Sequence, residues 1–153
     1  MGENSFVLTK GERILVALDG SVPSKYALEN ALSLARICKG KIFLIRVLET
    51  SQKEEDLSAG GQKLLDDLKK SLERTRKEVE EKGLACETIV HMGPDISSFI
   101  VQEAQDKDID LISMGTHGWT GMTALTMGSV ARKVLCSAPC PVLIIPPKLV
   151  GEC

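Results

Sequence analysis

Short apolar runs alternate along this chain with longer segments in which apolar residues return every three or four positions, the spacings of buried strands and amphipathic helices. Residues 13–18 (RILVAL) form the first run and end at Asp19-Gly20-Ser21, a cluster of turn formers. Ala27, Leu28, Ala31, Leu32, Leu34, Ala35 and Cys38 then keep a helical spacing until Gly40 ends it, with Ser21 or Ser24 as the N-cap. Residues 41–47 (KIFLIRV) predict a second strand. Residues 49–61 are polar and contain Gly60-Gly61, which marks a mobile loop able to fold over a ligand. Beyond it, Leu64, Leu68, Leu72 and Val79 mark one face of a long helix ending at Gly83, and the Lys, Arg and Glu crowding its other face read as solvated. Thr88-Ile89-Val90 is the centre of a third strand, Gly93-Pro94-Asp95 a turn, and Ile96, Phe99, Ile100 and Ala104 the apolar face of a third helix. Residues 110–114 predict a fourth strand, 129–135 a fourth helix and 141–145 a fifth strand, after which Pro146-Pro147 forbid further pairing.

Five apolar strands separated by four helices form a βαβ series, and right-handed crossovers then build a parallel sheet covered on both faces. The expected fold is α/β, doubly wound, and a single domain spans residues 1–153. In such sheets a ligand sits beyond the carboxyl ends of the strands, where the winding reverses. The loops after the first and fourth strands are therefore the ones that matter, and they carry Asp19 and Gly115.

The second of these loops opens the run GTHGWTGMTALTMGS, from Gly115 to Ser129, with the spacing G-x2-G-x9-G-[ST]. Phosphate oxygens need unblocked backbone N–H groups around them. Glycine supplies these because it lacks a Cβ, and a following helix aims its first free N–H groups at the anion. The run lies between a strand pattern and a helix pattern, as that job requires. The plainer alternative is a Gly-rich turn that only reverses the chain.

Composition narrows the choice of ligand. A net charge of −2 and an aromatic content of 3% supply neither the cationic groove nor the stacking platforms of a nucleic-acid binder, so a nucleotide fits better than a polymer. No apolar run has transmembrane length, no secretory leader is legible at the start, and the sixth position lacks the Ser or Thr of a myristoylation signal, so a cytoplasmic location away from membranes is expected. The five cysteines, an odd number lying mostly in apolar stretches, suit reduced thiols. Cys136 and Cys140 have neither a second pair nor a nearby His to complete a zinc site.

Taken together, the glycine pattern, the Val-Ala-Leu-Asp-Gly-Ser segment after the first strand, the Met-Gly-Pro turn before the third helix and the closing Pro-Val-Leu-Ile-Ile strand resemble the universal stress protein family over nearly the whole chain. The resemblance implies a sheet in the order 3-2-1-4-5 and a homodimer, formed through the edge strand at 142–145. Because the full glycine pattern is retained, it also implies ATP or another adenine nucleotide at the switch point. Carried over residue by residue, it gives Gly115, Gly118, Gly128 and Ser129 a role at the phosphates and ribose, has Ala17 and Asp19 flank the adenosine, and lays Val47 against the base. Met114 offers a second apolar contact to the base, and Thr116, His117, Gly121 and Val130 complete the set. Mg²⁺ can accompany a triphosphate by bridging its oxygens, although no dedicated carboxylate cage is visible.

Several of these residues have a second reading. Asp19 is also a preferred cap or turn residue, Met114 and Val47 are ordinary core residues at strand ends, and His117 suits a phosphate neighbour or a solvent-facing side chain better than a general acid or base. His91 has no motif around it. Three functions follow: an adenine-nucleotide-dependent dimeric switch in stress response or regulation, a slow ATPase, and a nucleotide-independent scaffold. The run lacks the G-K-[ST] lysine that stabilises a transferred phosphoryl group, so hydrolysis is expected to be feeble or absent, with no residue assigned a catalytic role.

Overall fold

The computed structural model describes residues 12–116 and 127–146. In chain order its elements are β1 (Arg13–Ala17), α1 (Val22–Cys38), β2 (Lys41–Glu49), a single 3₁₀ turn (Glu54–Asp56), α2 (Ala59–Glu81), β3 (Cys86–Gly93), α3 (Ile96–Asp106), β4 (Leu111–Gly115), α4 (Ser129–Ser137) and β5 (Val142–Ile145). The strands form one sheet in the order β3-β2-β1-β4-β5, and every neighbouring pair is parallel. Ile14 sets the register at the centre, opposite Ile42 on one side and Leu111 on the other. The winding reverses between β1 and β4, as in other doubly wound sheets.

Alternation along the strands divides the core into two layers. Ile14, Val16, Ile42, Leu44 and Leu111 meet Ala27, Ala31, Leu32 and Ala35 of α1 and Leu72 and Val79 of α2 on one face. On the other, Leu15, Phe43, Ile45, Ile112 and Met114 meet Ile100 and Ala104 of α3 and Ala131 and Val134 of α4. Burying each large apolar side chain contributes roughly 1.5–3 kcal/mol, against about 0–1 for an exposed ion pair. The layers, rather than the ion pairs of Arg76 with Glu73 and Glu80 on α2, therefore hold the fold together.

The buried face of helix α1 is mostly alanine, and the fully buried Ser113 of β4 donates its hydroxyl hydrogen bond to the Ala27 carbonyl at 2.8 Å. Of the two candidate N-caps it is Ser21 that caps this helix, accepting from the Ser24 N–H, while Pro23 occupies the first turn, where its missing N–H costs little. The helix ends on Lys39 in the left-handed region, one residue before Gly40.

Two expectations need correction. Gly60-Gly61 does not belong to a mobile loop: both lie in the first turn of α2, where Ser58 caps the helix by accepting from the Gly61 N–H at 3.1 Å. The Gln62 side chain also donates to the Glu54 carbonyl at 2.8 Å, tying the preceding turn back onto the helix. The first turn has unpaired N–H groups in any case, so glycine is tolerated there once a serine precedes it. Leu64, placed on the buried face by its spacing, is 54% exposed, and Leu65 takes its place beside Leu68, Leu72 and Val79. At about 100° per residue, Leu65 lies only about 20° beyond Leu72 at one edge of the arc of the other three, whereas Leu64 lies about 40° beyond Leu68 at the other.

Candidate functional site

At the carboxyl ends of β1, β2 and β4, under the starts of α3 and α4, lies a crevice of about 330 Å³. That is the lower end of the range of about 300–1,000 Å³ usual for small-molecule sites. The crevice straddles the point where the winding reverses. Val47 and Glu49 at the end of β2 form one flank, Ala17 and Asp19 the middle, and Met114, Gly115 and Thr116 the flank toward β5. Gly128, Ser129, Val130 and Ala131 close it from the start of α4, and Ile96 and Ile100 from α3.

Polar geometry differs between the two flanks. Gly128 is the N-cap of α4 and supplies no side-chain acceptor, so the helix presents an end without a side-chain cap to the crevice. This end is fixed in place: the Gly128 N–H donates to the Thr116 carbonyl at 2.9 Å, and the Thr116 N–H donates to the Ile145 carbonyl at 3.1 Å. The Thr116 hydroxyl donates to that same carbonyl at 3.2 Å, so β4, β5 and the α4 start form one clasp. The opposite flank holds the carboxylates of Asp19 and Glu49. Asp19 accepts from the Ser21 N–H at 2.8 Å, and its carbonyl accepts from Arg46 Nη2 at 3.4 Å. Asp19 thus shapes the β1–α1 turn and also lines the crevice.

Met114 is buried in the layer under α4 and also lines the crevice, and Val47 packs at the rim of the same layer. Of the twelve residues expected at the site, Ala17, Asp19, Val47, Met114, Gly115, Thr116, Gly128, Ser129 and Val130 come together here. His117, Gly118 and Gly121 lie outside the described residues. Sequence reasoning missed Glu49, Ile96, Ile100 and Ala131 as lining residues, together with Leu18, Ser21, Ser24 and Ile45. Period-two alternation from Val47 would have found Glu49. Ile96 and Ile100 carry no signal of their own, since helical spacing marks them only as core.

Just outside the crevice, Asp95 precedes α3 and accepts from the hydroxyls of Ser97 at 2.6 Å and Ser98 at 2.7 Å. These bonds hold its carboxyl down at about 2. His91 has a structural place: its Nε2 lies 2.7 Å from Glu103 Oε1, and its ring stacks on Phe99 with centroids 4.6 Å apart. Among the described residues, no three His, Cys, Asp or Glu gather where they could hold a metal ion. Nor is any helix there long and apolar enough to cross a membrane.

A parallel, doubly wound sheet with a crevice at its switch point, walled by a helix end without a side-chain cap, defines an α/β protein of the class that takes ligands at that point. The chain belongs to the universal stress protein family, whose model matches residues 11–146. It is 32% identical over 149 residues to the universal stress protein MJ0531 of Methanocaldococcus jannaschii, covering 94% of this chain and 84% of that protein. Among solved structures it superposes on MJ0577 of the same organism with a TM-score of 0.75 and 26% identity, over 89% of this chain and 96% of the other. A universal stress protein from Archaeoglobus fulgidus, solved in complex with dAMP, gives a TM-score of 0.65 at 24% identity, over 87% of this chain and 96% of that one.

Proposed function

We propose that this protein is a cytoplasmic, single-domain regulatory protein of the stress response that binds ATP or a related adenine nucleotide and acts as a dimeric switch, without a nucleic-acid partner. The observation that carries the reading is the α4 end without a side-chain cap, held by the Thr116–Gly128 clasp and opening into the crevice. Phosphates are best accommodated beside Gly128 and Ser129, where the first-turn N–H groups of α4 from Ser129 onward and the helix dipole favour an anion. The base is best accommodated between Val47 and Met114, on the side where the carboxylates of Asp19 and Glu49 would repel phosphate. Gly115 and Ala17 then flank the ribose, and the glycines at 118 and 121 with His117 belong to the same phosphate loop. Mg²⁺, if it accompanies a triphosphate, would be held chiefly by phosphate oxygens. The dAMP complex of the Archaeoglobus fulgidus relative, and a further family structure in complex with cAMP, support the adenine class and keep monophosphates in the comparison.

No Lys or Arg lines the described part of the crevice, so binding without appreciable turnover is expected. Calorimetric titration of ligand-free protein with ATP, AMP and cAMP is the test, with phosphate release followed in parallel. Ala17→Leu fills the crevice and should abolish binding with little change in the thermal midpoint. Ser129→Ala should weaken binding by about 0.5–1.5 kcal/mol, the loss of one hydroxyl hydrogen bond. No binding by the parent protein, or full binding by Ala17→Leu, would return the crevice to a scaffold role. Turnover above about one per second would make the protein an enzyme.

A further inference from the structure

At the far edge of the sheet from β5, β3 pairs with β2 alone among the described residues. The Ala85 carbonyl accepts from Ile42 N–H at 2.9 Å and the Gly93 carbonyl accepts from Thr50 N–H at 3.0 Å, so the odd-numbered backbone groups along this strand face β2. Backbone groups alternate in direction along a strand, which turns those of Thr88 and Val90 outward from the sheet. A groove of about 880 Å³ lies along this edge, lined by Thr88 and Val90 on one side and by α2 on the other.

The helix wall of the groove is basic. Lys70, Arg74 and Lys77 are exposed and follow one another at i, i+4 and i+7, on one side of α2. Among the described residues none of the three has a carboxylate within 4.0 Å. Of the two acids in the groove Glu73 is engaged by Arg76, and of its four cations Lys69 pairs with Glu54, which leaves Asp67 against Lys70, Arg74 and Lys77.

We propose that this groove docks an extended acidic segment of a partner protein, which adds a strand to β3 at Thr88 and Val90 and sets alternate carboxylates against Lys70, Arg74 and Lys77. Dimensions are comparable: alternate residues of a strand are about 6.7 Å apart, and the helix rises about 6 Å from Lys70 to Arg74 and about 4.5 Å from Arg74 to Lys77, gaps that long flexible side chains span. A nucleic acid has no alternating peptide donors and acceptors to pair with the strand. A second copy of this chain, joined edge to edge about a two-fold axis, would bring another α2 and its Lys70, Arg74 and Lys77 onto the same face, where like charges repel. The site lies apart from the switch-point crevice and does not depend on what that crevice binds.

The test uses the full chain and a short labelled peptide of alternating Glu and Val, followed by fluorescence anisotropy. Saturable binding is expected, together with slowed hydrogen exchange at the Thr88 and Val90 amides. Charge reversal of the exposed helix face (K70E, R74E and K77E together), with folding checked by thermal melt, should weaken binding by about tenfold or more. Methylating every second peptide nitrogen keeps the charge but removes the backbone donors, and should weaken binding at least as much. Absence of binding, equal affinity of the methylated peptide, or indifference to charge reversal would each overturn the proposal. So would a dimer detected by light scattering that the exposed-edge variant Val90→Pro abolishes, since a second copy would then occupy the edge.

Discussion

Lys39 ends α1 at φ 54° and ψ 42°, where a Cβ crowds the following carbonyl oxygen at a cost of about 1–2 kcal/mol. Lys39→Gly is expected to stabilise the protein by about 0.5–1 kcal/mol, part of the relief being offset by the freedom glycine gains in the unfolded chain. Urea melts of both proteins check this, and a less stable variant would mean that the lysine side chain makes a contact worth more than the strain. Gly93 presents the opposite case. A Cβ there would sit 2.5 Å from Phe99 Cε2 and 2.7 Å from Cζ, and the ring is backed by its stack on His91. Gly93→Ala should cost about 1–3 kcal/mol, the range for forcing extra atoms into a packed site. In a Phe99→Leu background the added cost should shrink; additive costs would place the damage elsewhere.

Among the elements, the start of α2 depends on one hydroxyl. Ser58→Ala removes the acceptor for the Gly61 N–H and should destabilise by about 1 kcal/mol, with faster hydrogen exchange confined to the first turn. Uniform acceleration along the whole helix would contradict a local cap. This helix also marks the limit of what the sequence revealed about the fold. The central parallel strands, buried on both faces, are near-continuous apolar runs, and the half-buried edge strands β3 and β5 keep shorter apolar centres between turn residues, so all five were legible, as were the helices that separate them. The α2 boundary was not, because two adjacent glycines suggest a loop whereas the serine ahead of them settles the matter by capping. Legibility of the crevice divides in the same way. Asp19 and Gly115 follow from the switch point alone, which is a property of strand order. Ile96 and Ile100 reach the crevice only because α3 packs against β2 and α4, and their own spacing cannot distinguish a core contact from a cavity wall.

At the scale of the whole molecule, β5 is a strand of four residues paired only with β4 among the described residues, with Val142, Leu143 and Ile144 half-buried. We expect a homodimer through this edge, because unpaired backbone beside apolar side chains invites pairing. Ile144→Lys should yield monomer by light scattering, and an undisturbed dimer would place the interface elsewhere. Acid stability is set in part by Asp95, whose carboxyl stands at about 2 in the folded protein against an ordinary value of 3.8. A depressed folded value favours the charged form, so its contribution is complete above about pH 4 and is lost as the pH falls through about 2. The midpoint of thermal unfolding should therefore fall less steeply between about pH 4 and pH 2 in Asp95→Asn than in the parent, and parallel slopes would show that Ser97 and Ser98 favour neither protonation state. Finally, the central strand β1 has its second partner far away in the chain: Ile14 pairs with Leu111, a separation of 111 − 14 = 97 residues. During synthesis at about 5–20 residues per second, β1 waits about 5–20 seconds beside a vacant edge before β4 exists. For that interval the nascent chain can pair only β1, β2 and β3, three of the five strands, and the edge of β1 that later meets β4 stays open.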